Sequence, residues 1–331
     1  MLFKKIINYS LLIISSIGAF AQVKWINVDS SYQPLPASVH VFKTTDSLDG
    51  KPNIAYYVIA DLKDKKLLFD ADTTLNRRFT PSQFYRKNDQ PLVVVNTTFF
   101  SFQTNQNLNV VIKDGMLVGY NIHSIPGRGN DTLTYRHPFG SAIGISKNRD
   151  ADIGWIFTDS ALKFPYAMQW SMDAIKDSVI RHDLNYLDHQ TSVITRPHKG
   201  TLTSSLRKWK METAVGGGPV VLQAGETKIT NNEELKFAGT AINDKHPRTA
   251  MGYTKDNKLI ILVVQGRFPG IAEGATLGQE AKMLKDLGCW EALNLDGGGS
   301  SCMLVNGKET IKPSDATGQR AVPAVFIIKN K

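Results

Sequence analysis

Short runs rich in Val, Ile, Leu and Tyr recur along most of the chain, at 54–62, 66–69, 92–96, 109–112, 141–145, 220–223, 259–265 and 321–328. Most are bounded by Gly, Asn, Asp or Pro, which mark strand ends and turns. Runs of this length bury efficiently only side by side in sheets, so the chain is committed to a β-rich domain. Asp114-Gly115 and Asn306-Gly307 are tight-hairpin dipeptides. One segment carries a strong helical signal: Thr276 and Gln279 form a capping box, Ala281, Leu284 and Leu287 an apolar face, and Gly288 a stop. A second helix is expected over 81–87. The expected fold class is α+β, with mixed, mostly antiparallel sheets and a few flanking helices.

The 331 residues are 42% apolar and 21% charged, which excludes disordered, collagen-like and disulfide-scaffold classes. Residues 1–21 read as a signal peptide: Lys4 and Lys5 open it, an apolar stretch follows, and Ala19-Phe20-Ala21 is a small-x-small site. Export to the periplasm or the medium is expected, with no transmembrane segment in the mature chain. Residues 22–89 form an N-terminal β-rich part of the core and 90–331 the main domain. The segment 159–210, without clear periodicity, is a candidate insertion. His137-Pro138 leading into 139–147 is echoed by His246-Pro247 leading into 248–255, which suggests two related halves around a shared cleft. His137 and His246 themselves read as structural residues.

The formal charge is +9, or +7 without Lys4 and Lys5. The positive charges are scattered with no dense block, so nucleic acid is not an expected partner. A phosphorylated or otherwise acidic glycan suits the balance better. Cys289 and Cys302 flank a glycine run. If the chain makes a hairpin around Gly298, they lie about 20 Å apart, too far for a disulfide. Two free, buried thiols are expected, and no His/Cys spacing suggests zinc.

The most informative stretch is 292–305. An apolar strand delivers Asp296, then Gly297, Gly298 and Gly299 allow a tight turn, and Ser300 and Ser301 precede another strand. Successive N–H groups in such a loop form an anion-binding nest. No Gly-Lys-Ser/Thr closes it, so it is not a nucleotide P-loop, and no Rossmann spacing opens a helix.

Leu295-Asp296-Gly297-Gly298-Gly299-Ser300-Ser301 resembles the signature of the phosphodiester glycosidase family. Other segments resemble further motifs of that family in the expected order: Val95-Asn96-Thr97-Thr98-Phe99-Phe100, Val215-Gly216-Gly217-Gly218-Pro219, His246-Pro247-Arg248-Thr249, and Gly266-Arg267 before 274–281. The resemblance spans roughly 90–328. Thr97 stands where the family usually has Gly, and 159–210 has no counterpart. The resemblance implies hydrolysis of the C1–O bond of a sugar-1-phosphodiester, of the N-acetylglucosamine-1-phosphodiester type.

Breaking that bond releases a phosphate monoester, a leaving group that needs little protonation, so one carboxylate can suffice where most glycosidases use two. Asp296 is the expected catalytic carboxylate, Arg248 the expected bidentate phosphate fork, and Glu280 a further catalytic candidate. Substrate contacts are expected from Asn96, Gly217, Gly218, Thr249, Arg267, Gly297, Gly298, Gly299 and Ser300. No cofactor is required by this chemistry. A structural calcium stays open, since oxygen ligands scattered along loops leave no signature. Two other readings also stay open: a non-catalytic glycan-binding protein and a metal-dependent phosphodiesterase cutting P–O.

Overall fold

The computed structural model describes residues 22–127, 129–178, 180 and 206–331. The expected leader and the centre of the 159–210 segment lie outside these residues. Among the described residues, no helix is long and apolar enough to cross a membrane.

Three sheets enclose the core. The eight-stranded sheet has the order Ile26–Asn27, Val39–Thr44, Ile54–Asp61, Lys258–Gln265, Arg248–Thr254, Cys289–Asn294, Val220–Gln223 and Glu226–Thr227. The seven-stranded sheet centres on Ala151–Phe157, Gly140–Ile145 and Thr213–Gly216, and the five-stranded sheet on Met303–Val305, Val93–Asn96 and Ala324–Asn330. A small three-stranded sheet joins Ile125–Pro126, Tyr135–His137 and Ile175–Asp177. Every described pairing between these strands is antiparallel, which corrects the expectation of mixed sheets. Helix is confined to short flanking pieces, so the fold is β-rich rather than α+β. Short apolar runs punctuated by turn dipeptides suit meanders, which need no crossover helix.

Alternation explains the layering. Along Ile54–Asp61, Val58 and Ala60 face the central core with Ile261, Val263 and Met251, while Ala55 and Tyr57 face the opposite layer. Val95, Met303 and Phe326 from the five-stranded sheet, and Ile143, Trp155 and Val215 from the seven-stranded sheet, close the same core. Each fully buried large aliphatic side chain contributes about 1.5–3 kcal/mol. Lys258–Gln265 is buried on nearly every residue because its sheet is covered on both faces.

Both expected helices form with their capping boxes, Pro81–Lys87 behind Thr80 and Leu277–Asp286 behind Thr276. The first covers the outer face of the five-stranded sheet through Phe84, and the second covers the eight-stranded sheet through Leu277, Ala281 and Leu284. Asp114-Gly115 and Asn306-Gly307 form the expected tight turns, all four residues having positive φ. Residues 166–168 and 207–208, at the two ends of the middle segment, add edge strands to the seven-stranded sheet.

The glycine run is not a hairpin. Cys289–Asn294 belongs to the eight-stranded sheet and Met303–Val305 to the five-stranded one, so 295–302 carries the chain from one sheet to the other. Cys289 packs under the Leu277–Asp286 helix and Cys302 beside Phe84. Both thiols are free and buried.

The Leu277–Asp286 helix also buries an acid. Glu280 is 0% exposed and neither carboxyl oxygen has a hydrogen-bond partner. Burial pushes its pKa up to about 8, against the nearby Arg248 charge. The folded state therefore binds a proton that the unfolded chain releases near the ordinary glutamate value. Its contribution is fully present below about pH 4.5 and is lost as pH rises through about 8. The melting temperature of Glu280→Gln relative to wild type is expected to rise steadily between pH 5 and 8. A difference independent of pH would show that Glu280 is already ionised in the fold.

Candidate active site

Three chain crossings between sheets meet at one place. Residues 97–110 leave the five-stranded sheet for the seven-stranded one, 217–219 leave the seven-stranded sheet for the eight-stranded one, and 295–302 return to the five-stranded sheet. Each crossing holds the next through its backbone. Asp296 N–H donates to Thr97 O at 2.7 Å, Leu295 N–H to Thr249 O at 2.7 Å, Gly298 N–H to Pro247 O at 2.8 Å and Gly218 N–H to Asn294 O at 2.7 Å.

Asn96 sits inside this junction at 0% exposure. Its Nδ2 donates to Asp296 O at 2.6 Å, and its Oδ1 accepts from the Thr249 hydroxyl and from Cys302 N–H, each at 3.0 Å. Thr249 also lies 3.1 Å from the Ser301 hydroxyl. The expected ligand contacts of Asn96 and Thr249 are thus replaced by internal ones: both side chains are closed off and their polar atoms engaged. Thr97 is buried with ordinary backbone, outside the left-handed region, so this turn accepts a β-branched residue in place of Gly.

The 217–219 crossing is set by close approach. Gly218 has φ +112, and a Cβ there would run into Glu234 and would lie 2.6 Å from Lys236 Cε. Glu234 accepts from Ser141 N–H (3.1 Å) and hydroxyl (2.8 Å), Trp155 Nε1 (3.2 Å), Val220 N–H (2.9 Å) and the Thr230 hydroxyl (2.6 Å). This saturated carboxylate locks two sheets together at Gly218. A Cβ on Gly217 would lie 2.7 Å from Asn294 O, so the two glycines serve packing.

Asp296 stands at the open end of the junction, partly exposed, with Gly297 and Gly298 beside it. Gly298–Ser300 form one turn of 3-10 helix. Burial pushes the Asp296 carboxyl up to about 7, while the Ser300 hydroxyl, the Arg320 charge and the Gly297 N–H pull it down. Two guanidinium groups lie against the glycines. Arg267 is exposed, with φ +65, and its guanidinium packs on Gly298. Arg320 packs on Gly299, donates to Asp315 at 2.7 Å through Nε, and places NH1 3.5 Å from the Ser300 hydroxyl.

Arg248 occupies a different position. It is 2% exposed, and its Nε and NH2 donate to Ala275 O at 2.9 Å and Asp244 O at 3.0 Å. Its guanidinium lies 5.6 Å from the Phe237 ring centroid, and burial lowers its pKa. Arg248 and Glu280 are both closed off from solvent, although the Arg248 backbone lies close to Gly297. His246, whose pKa is lowered by burial and by Arg248 and Arg267, shares two backbone bonds with Ala275. His137 is buried against Ser124, His123 and Asp177.

Of the expected site residues, Asp296, Gly297, Gly298 and Arg267 come together at one open face, while Gly299 and Ser300 of the same turn are buried. Asn96, Gly217, Gly218, Thr249, Arg248 and Glu280 form its frame. Arg320 and Glu234 escape a reading of the sequence: neither lies in a patterned motif, and only the sheet crossings bring them to the glycine turns.

A model of the phosphodiester glycosidase family matches residues 89–329. A relative from Bacillus subtilis strain 168, the SPbeta prophage-derived uncharacterized protein YomE, is 37% identical over 86 residues, 26% of this chain and 13% of that one. A hypothetical protein from Synechocystis has a similar fold, with TM-score 0.60 and 13% identity over 89% of this chain and 62% of that one. The catalytic domain of zebrafish N-acetylglucosamine-1-phosphodiester alpha-N-acetylglucosaminidase, auto-inhibited by its pro-peptide, gives TM-score 0.55 and 21% identity over 94% and 89% of the two chains. At these identities the structural likenesses are likenesses of fold. With the family model covering most of the sequence, this chain belongs to the phosphodiester glycosidase family.

Proposed function

We propose that this chain hydrolyses the C1–O bond of sugar-1-phosphodiesters in glycans or cell-surface polymers, after export and removal of residues 1–21. The observation that carries the proposal is the partly open carboxylate of Asp296, with Arg267 and Arg320 on adjacent glycines of its own turn. The two guanidinium groups hold the phosphate, since the N–H groups of Gly298, Ser300 and Ser301 are engaged within the protein. Asp296 faces the sugar carbon and takes a proton from water as its oxygen adds to C1. The C1–O electron pair leaves with the phosphate, giving a free sugar and a phosphate monoester. A pKa near 7 suits an acid that accepts and then releases a proton at neutral pH. Arg248 and Glu280 are buried and take no part in contacting substrate.

Activity is expected to rise with pH through about 7, as Asp296 loses its proton, and to level off above it. Asp296→Asn keeps the size of the side chain, removes the charge, and is expected to lower kcat/KM by at least about 10²-fold. Turnover within threefold of wild type would remove Asp296 from the mechanism.

The arginines separate by substrate. Arg320→Lys and Arg267→Lys are each expected to cost about 10–100-fold on a sugar-1-phosphodiester, because an ammonium does not reproduce the planar fork. On an aryl glycoside without phosphate the loss is expected to be much smaller. Arg248→Lys is expected to lower the melting temperature and to depress both substrates alike. Equal losses on both substrates for Arg320→Lys and Arg267→Lys would remove them as the phosphate clamp.

A further inference from the structure

A groove runs beside the junction. Two adjoining cavities of about 370 Å³ and about 450 Å³ share Ile125, Pro126, Leu235 and Lys236. The first is walled largely by Phe99, Leu108, Ile122, Ile125, Pro126 and Leu235. Ile122 and Leu235 are each more than a third exposed at its mouth. The second has Asp131, Arg136, Asn231 and Asn232 in its wall, so the first, whose size alone is that of a ligand site, is the apolar trough.

The polar groups in the wall of the first cavity are engaged within the protein. Asn109 accepts from Phe99 N–H at 2.9 Å and donates to Gly217 O at 3.4 Å. Asn121 accepts from Val110 N–H and donates to Gly140 O and Ile156 O. Ser124 lies 3.1 Å from His137 Nδ1, and Glu234 accepts its five bonds. A sugar placed here would leave its hydroxyls unpaired, at a cost of about 1–3 kcal/mol each. Lys236 is different. Its ammonium lies 5.2 Å from the Phe99 ring centroid and has no hydrogen-bond or ion-pair partner among the described residues.

Lys236 also marks where the groove meets the site. Its Cε packs on Gly218, whose N–H donates to Asn294 O two residues before Asp296. Phe99 lies two residues after Thr97, whose carbonyl accepts from Asp296 N–H. An apolar trough with one cation at its inner end matches an apolar chain with an anionic head.

We propose that the groove binds a long apolar alcohol esterified to the phosphate, with Lys236 contacting the phosphate, so that the substrate is a sugar joined through phosphate to a lipid-type chain. This rests on the glycosidase reading above and names the group that leaves. Water adds to C1, the C1–O bond breaks, and the alkyl phosphate departs with the electron pair.

Binding of octyl phosphate and methyl phosphate to the intact protein, followed by calorimetry below the micellar range, tests the groove without requiring turnover. Octyl phosphate is expected to bind at least about tenfold more tightly, since burying its methylenes is favourable. Ile125→Trp fills the trough and is expected to abolish that preference while sparing methyl phosphate. Lys236→Met leaves the wall intact and is expected to weaken both ligands. Equal affinity for the two phosphates, or a preference unmoved by Ile125→Trp in a variant that melts normally, would overturn the proposal. If Ile125→Trp does not fold, Lys236→Met decides: unchanged octyl phosphate affinity would overturn the proposal. If chain-length-dependent binding holds while no sugar-1-phosphodiester is cleaved, the glycosidase reading fails and the groove stands.

Discussion

The amide of Asn96 is the tie on which the open face depends. Three crossings between three sheets converge there, and one side chain bonds to the 295–302 crossing, through Asp296 O and Cys302 N–H, and to the strand Arg248–Thr254 through Thr249. None of these atoms reaches water, so each lost bond would leave a buried polar group unpaired, at about 1–3 kcal/mol. The backbone bonds of Leu295, Asp296 and Gly298 repeat the same connections. The Asp296 turn is therefore held on its inner side by rigid sheet edges, leaving its outer side free. A site built on sheet ends rather than on a long loop keeps its geometry without a ligand.

Burial acts on two acids here with opposite consequences. Glu280 and Asp296 both hold protons more tightly than an ordinary carboxyl, and in both desolvation is the main cause. Glu280 is enclosed by its helix and the strand beneath it, without a hydrogen-bond donor, and only the Arg248 charge opposes its neutralisation. Asp296 has the Ser300 hydroxyl, a backbone N–H and Arg320 to favour its charge, together with an opening through which the proton can leave. The same physical effect gives a structural acid in one place and a titrating group in the other.

Much of this was legible in the residues. Apolar runs and turn dipeptides located most of the strands, and the capping box at Thr276 located the helix Leu277–Asp286, while the cap of the 81–87 helix at Thr80 is seen only in the structure. The glycine run after Asp296 pointed to the turn, because three consecutive glycines cost backbone entropy that a plain connection would avoid. What the sequence could not carry was which sheet each strand joins. A hairpin at Gly298 and a crossing between sheets use the same residues, and only the crossing puts Arg320 on Gly299. The roles of Asn96 and Glu280 were hidden for the same reason. A strand-end Asn and a helical Glu read alike whether they face a cleft or a core, and burial is a property of the assembled sheets.

The bond that breaks is the most direct test of the reaction read from this site. Hydrolysis of a sugar-1-phosphodiester in water enriched in oxygen-18 labels whichever atom receives solvent oxygen. Attack at C1, with Asp296 at the sugar and the arginines on the phosphate, predicts a phosphate monoester free of label. Label in the phosphate would place the attack at phosphorus and contradict a glycosidase mechanism centred on Asp296.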